Sequence, residues 1–174
     1  MFSIACSRSQ SNGKPQDPSV ATRAFLTWAL QTSQSDSDLG AIAARRAYVP
    51  DTRTLAAQIA RDHAALHADL VAIAQQHGIT APRDLEERHR ALKENLLTLP
   101  GQVFDRGFTL AMAQDSTFML RGFDRTSSDP ALKQLAAKYR PLIEQQKKVS
   151  TQILDRIGGS PFGYAPDAGA PPPF

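Results

Sequence analysis

Residues 50–78 read PDTRTLAAQIARDHAALHADLVAIAQQHG, and their spacing decides the fold. Leu55, Ile59, His63, Leu66, Leu70 and Ile73 recur at steps of three and four, which places them on one face of an α-helix. Pro50-Asp51 marks its start and Gly78 its end. One position on that apolar face is polar: His63, next to Asp62.

The same period recurs on both sides. Upstream, from about Pro18 to Ala47, Phe25, Trp28 or Ala29, Leu39, Ile42 and Ala43 share a face, although Ser33-Gln34-Ser35-Asp36-Ser37-Asp38 is polar for a core helix. Downstream, Pro82-Arg83-Asp84 opens a short segment with Leu85, His89, Leu92, Leu96 and Leu99 on one side, closed by Pro100-Gly101. A third long helix carries Phe104, Phe108, Met112, Asp115 and Met119. Ser128-Asp129-Pro130 starts a fourth, with Leu132, Leu135, Tyr139, Ile143, Gln146, Val149 and Ile153, stopped by Gly158-Gly159. Pro141 falls inside it and is expected to kink it, since its ring displaces the bond to the Ala137 carbonyl. Four helices of about 25–30 residues, each with one apolar stripe, predict an all-α four-helix bundle. The short extra helix between Gly78 and Gly101 suits the central crossover of a ferritin-like bundle. The bundle is expected over residues 18–159, with a tether at 1–17 and a Pro/Gly-rich tail at 160–174.

Composition agrees with one such domain. Of 174 residues, 41% are hydrophobic and 21% charged, enough for a packed core and against wholesale disorder. Twenty Lys and Arg against 17 Asp and Glu give a net +3, too small and scattered to predict a nucleic-acid partner. A single cysteine excludes a disulfide framework and a Cys-based zinc site. No apolar run approaches the ~20 residues of a membrane span. There is no Gly-rich phosphate loop and no nucleophile elbow. Arg45-Arg46 reads as an ordinary solvated face.

That cysteine, Cys6, follows Ser3-Ile4-Ala5 and precedes a Ser/Gly/Pro/Asn-rich stretch, which resembles the lipobox of a bacterial lipoprotein. Ser3 replaces the usual Leu, and the charged start and apolar segment of a signal peptide are missing. Two readings stay open: a lipidated Cys6 on a periplasmic or outer-membrane lipoprotein whose start lies upstream, or a free cysteine on a cytoplasmic chain.

The polar interruptions are the candidate site. Asp36, His63, Asp115 and Gln146 each occupy a core position on a different long helix, and buried polar groups are expensive without partners. Carboxylates and imidazoles converging in a bundle core are how carboxylate-bridged metal sites are built. The candidate ligands are Asp36, Asp62, His63 and Asp115, with Glu144 as a further carboxylate and iron or zinc as the cofactor. No Glu-x-x-His motif accompanies them. The alternative for His63 is a core histidine bonded across the bundle. Asp115 is either a buried ion-pair partner of an Arg or a site acid. His67 and His89 read as boundary or solvated residues.

Ala43, Ala47, Ala56, Asp62-His63, Leu70, Gly78, Leu99-Pro100-Gly101, Phe104-Asp105-Arg106, Asp129-Pro130 and Pro141 together resemble the bacterial domain of unknown function 4142 family over about residues 22–154. The resemblance implies an exported, ferritin-like four-helix bundle in which histidines gather. It also implies an Asp-His pair on the third long helix and a histidine on the fourth. Here Ser116 follows Asp115 and Gln146 takes the other position, both poor ligands for transition metals. Asp36 stands where a glutamate is common. A non-catalytic envelope protein with a degenerate site is expected, with an unidentified protein partner or a second copy as its interaction partner, and a lipid anchor to the membrane through Cys6.

Overall fold

The structure is a computed structural model that describes residues 18–158. These residues form α1 (Val20–Arg46), α2 (Pro50–Gln76), α3 (Glu87–Thr98), α4 (Gly101–Arg125) and α5 (Pro130–Arg156), with no strand among them. Cys6, the tether and the tail lie outside the described residues.

The helix ends follow from local chemistry. Ser19 caps α1 by accepting the Thr22 N–H at 3.0 Å. Pro50 takes the first turn of α2, where its missing N–H costs nothing. At the other end, the Gly78 φ of +65° lets the Ile79 N–H return to the Ala74 carbonyl at 2.8 Å. Asp129 caps α5, one oxygen accepting from Ala131 and Leu132, each at 3.0 Å. Its other oxygen contacts His77 Nε2 at 3.0 Å, which ties the end of α2 to the start of α5. α5 continues through Pro141 as one helix.

α1 packs most extensively on α2, and α4 on α5; α2 then lies beside α5 and α1 beside α4. Two apolar clusters fill the interior. One joins the start of α1 (Phe25 to Leu30), the end of α2 (Leu66 to Ala74), the end of α4 (Met119, Phe123) and the start of α5 (Leu132 to Ile143). The other joins the end of α1 (Leu39 to Ala43), the start of α2 (Leu55 to Ile59), the start of α4 (Phe104 to Met112) and Ile153 of α5. α2 and α4 therefore run parallel. The connection between them must return along the length of the bundle, and α3 lies in it, resting on α1 and α4.

α1 and α2 approach closely at Gly40. A Cβ there would come within 2.8 Å of the Ala56 carbonyl oxygen and the Ala60 nitrogen. α3 is the lightest element: only His89 and Leu96 of its side chains are buried. It is held at its ends. Buried Gln31 clamps the preceding turn, donating to the Asp84 carbonyl at 3.1 Å and accepting from the Glu86 N–H at 2.9 Å. Arg46 donates to the Leu97 and Leu99 carbonyls at 2.6 and 3.0 Å and lies 5.1 Å from the Phe104 ring centre. Arg46, exposed as its neighbourhood suggests, is thus also a clamp on the last turn of α3.

Candidate functional site

Between the two apolar clusters lies a polar layer. It is supplied by the polar middle of α1, by His63 of α2, by Asp115 and Ser116 of α4 and by Gln146 and Ser150 of α5. A buried Leu or Phe in such a place contributes about 1.5–3 kcal/mol, so the layer is kept at the expense of stability. Its geometry shows what the polar groups do instead.

Gln146, 1% exposed, sits at the centre of the connection between α2 and α5. Its amide nitrogen donates to Asp62 Oδ2 at 2.9 Å, and its amide oxygen meets His63 Nε2 at 3.1 Å. A carboxylate only accepts, so Asp62 orients the amide, and the amide oxygen then requires the proton of His63 on Nε2. His63 Nδ1 is left as a lone pair facing Asp36 Oδ2 at 3.3 Å. Asp36 is 1% exposed and in side-chain contact with Asp115. The chain of contacts runs Asp62, Gln146, His63, Asp36, Asp115, across four helices.

The protonation states follow from burial. Desolvation lowers the His63 pKa to about 4, partly offset by the Gln146 bond and the Asp62 charge, so the ring is neutral at pH 7. Asp36 is raised well above an ordinary carboxyl, first by burial and then by the charge and hydrogen bond of Asp115. Asp115 is raised to about 6 by burial, against the lowering effects of Arg88 and of its bond to Asp36. Burial and the neighbouring carboxyl both favour a proton on Asp36.

The positive charge that acts on both carboxyls belongs to half-buried Arg88 of α3. The same guanidinium lies 3.3 Å from His89 Nε2, and Thr32 Oγ1 of α1 approaches that nitrogen at 3.3 Å. Nε2 accepts from the arginine, so the ring proton of His89 is on Nδ1, a buried atom with no hydrogen-bond partner among the described residues. Burial lowers the His89 pKa to about 4, with Arg88 adding to the effect. The expectation of a boundary or solvated His89 is corrected: the ring is 2% exposed and carries α3 onto α1. His67 is half-buried, its Nδ1 3.1 Å from both the Leu30 carbonyl and Ser33 Oγ.

The residues singled out in the sequence are therefore brought together in part. Asp36, His63 and Asp115 meet, and Asp62 reaches them only through Gln146. Glu144 is exposed beside Arg140, 4.0 Å away, and contacts none of these residues. Arg88 carried no readable signal, because one of two Arg on a short polar helix has no period to mark it. Asp105 was visible only as part of a motif. Fully buried, it accepts the Tyr48 and Val49 N–H groups at 2.9 and 2.6 Å and so fixes the α1–α2 turn to α4.

A ferritin-like resemblance implies a metal, and the donors present do not fit a di-metal centre. Such a centre takes a Glu from each of two helices and a Glu-x-x-His from each of the other two. Here His63 Nε2 and Asp62 are both committed to Gln146, and Arg88 opposes a cation beside the carboxyl pair. No group of three or more His, Cys, Asp or Glu is placed to hold an ion among the described residues. No helix among them is long and apolar enough to cross a membrane.

Fold and site together define an all-helical bundle with a polar layer buried between two apolar cores. The chain belongs to the Domain of unknown function (DUF4142) family, whose model matches residues 7–153. No curated protein and no solved structure matches it.

Proposed function

We propose that this protein is a non-catalytic, ferritin-like helical bundle of the bacterial envelope, whose mid-bundle site is a closed hydrogen-bonded network. The observation that carries the reading is the double engagement of Gln146: it joins Asp62 to His63 and occupies Asp62 Oδ2 and His63 Nε2, two of the atoms a metal could take. The parallel run of α2 and α4 supports the ferritin-like topology, since it demands the long crossover of that class. The envelope location is supported by Cys6 after a small residue and before a polar tether.

Metal analysis of protein purified without added metal tests the site. A substoichiometric content is expected, and one iron or zinc per chain overturns the reading. For the location, the protein expressed from its own locus should fractionate with membranes and lose that association on Cys6→Ala. A wild-type protein found wholly in the soluble cytoplasmic fraction removes the lipid anchor.

One observation favours a second reading, a transition-metal ion on His63, Asp36 and Asp115. His63 Nδ1 and Asp36 Oδ1 are buried without a hydrogen-bond partner. In that case His63→Ala lowers the metal content of the purified protein.

A further inference from the structure

The end of the bundle where α1 turns into α2 holds an aromatic ring in water on a fixed piece of backbone. Tyr48 is 68% exposed. Its N–H donates to buried Asp105 at 2.9 Å, and its carbonyl accepts from Arg53 at 2.9 Å. Arg53 also donates to the Ala47 carbonyl at 2.8 Å, and the Val49 N–H reaches the second Asp105 oxygen at 2.6 Å. Both backbone groups of Tyr48 are therefore committed, which fixes the direction of its side chain and lowers the entropy lost when something packs on it. Pro50 and Pro100 are exposed at the same end, as is Val103 of α4, two residues from Asp105. An exposed aromatic alone is ordinary; its neighbourhood sets this one apart.

The described residues end at the same place. Arg156, in the last turn of α5, pairs with Asp51 in the first turn of α2 at 2.7 Å, and Asp51 is three residues from Tyr48. Arg106, next to Asp105, donates from Nε to the Ile157 carbonyl at 2.7 Å. Gly158 then takes a φ of +91°, and a Cβ on it would stand 2.9 Å from Arg106 Nη2, so the exit from α5 is a built glycine turn. Residues 159–174 follow. Extended, they reach about 50 Å, whereas only a few residues on either side of the Arg156–Asp51 pair separate Gly158 from Tyr48. Phe162, Tyr164 and Phe174 lie among them, and segments that stay in water are poor in aromatics. Their one charged side chain is Asp167. At the Tyr48 end Arg45 is exposed, and Arg46 and Arg53 spend their donors on carbonyls rather than carboxylates.

We propose that the Tyr48 turn is the docking surface for this chain's own C-terminal segment: Pro161-Phe162-Gly163-Tyr164 packs on Tyr48 and Pro50, and Asp167 is drawn to the arginines beside them. Aromatic and proline rings stacked on a preorganised ring bury apolar surface at small entropic cost, and the short path from Gly158 makes the contact intramolecular, which raises its effective concentration.

Photo-crosslinking of the full chain, with benzoylphenylalanine in place of Phe162, tests this. Digestion and mass spectrometry are expected to find an intrachain cross-link to residues 47–53 or 100–106. Its yield should be independent of protein concentration, fall several-fold on Tyr48→Ser and be kept by Tyr48→Phe. Tyr48→Ser alters only an exposed side chain and leaves the backbone bonds to Asp105 and Arg53 in place, so the chain still folds. A cross-linked dimer whose yield grows with concentration gives the surface to a second copy and overturns the proposal, and so does the absence of any cross-link to this end. Hydrogen exchange reads the same contact without a label. Phe162→Ser combined with Tyr164→Ser should speed exchange of the Tyr48 and Val49 amides several-fold and leave the middle of α2 unchanged. Equal exchange of those two amides in the variant and the wild type also overturns the proposal.

Discussion

Asp36→Asn should make this protein more stable, and should do so more at pH 7 than at pH 5. Asn has nearly the shape of a protonated Asp and keeps a donor where the acid proton lies, so it can satisfy His63 Nδ1 or the Asp115 carboxylate. The wild-type acid must instead be kept protonated against its tendency to ionise in water. The folded-state value is raised well above the unfolded reference of 3.8, so between the two the cost of holding that proton grows with pH, by up to about 1.36 kcal/mol per pH unit. The side chain is 1% exposed, so solvent screening does not dilute it. The sign follows from the raised value in the folded state: this acid's favourable contribution is complete below the unfolded pKa and is lost as pH rises toward the folded one. Urea denaturation of both chains at the two pH values measures the difference. The gain from Asn should be larger at pH 7 than at pH 5, by up to about 2.7 kcal/mol, two pH units at about 1.36 kcal/mol each. A less stable Asn chain at pH 7, or an equal gain at both, would refute the reasoning. It would mean that Asp36 is ionised and paired with a protonated His63.

Other outcomes follow from the same structure. His63 has its pKa lowered to about 4, so its contribution is present above 6.5 and lost as pH falls through 4. His63→Gln should remove about 3 kcal/mol of acid sensitivity across that window, read from denaturation midpoints. Asp105→Ala strands the buried Tyr48 and Val49 N–H groups and should cost about 2–4 kcal/mol in thermal denaturation, with Asp105→Asn intermediate. Gly40→Ala drives a methyl against the α2 backbone; a loss of about 1–3 kcal/mol is expected, and an unchanged melting temperature would contradict the close α1–α2 approach. Gln31→Ala releases the turn before α3 and should raise hydrogen exchange across residues 87–98 while leaving α2 and α5 protected.

Much of the fold is legible in the sequence because each long helix announces itself locally. Leu55 to Ile73 carries its own period, Asp129-Pro130 its own cap, and Gly78 its own stop; none needs a partner to be read. The site is legible only as a set of anomalies. Asp36, His63, Asp115 and Gln146 each interrupt an apolar stripe, and an interrupted stripe says that a polar group is buried, not what it faces. His89 was misread for the same reason: a histidine on a polar helix looks solvated until the helix is laid on Thr32 of α1. Arg88 and Arg46 act on elements about fifty residues away in the chain, and nothing in their own neighbourhoods records that.

By itself, then, the order of residues determined the class of the protein, the number and limits of its helices and the places where its core is polar. These depend on propensities and periods that operate over a turn or two of chain. Only the tertiary structure decided which polar groups meet. Asp62 turns Gln146, Gln146 sets the proton on His63, and His63 faces Asp36. Those relations are set by helix direction, rotation and the return path of the crossover, because hydrogen bonds and buried charges respond to distances that sequence separation does not contain.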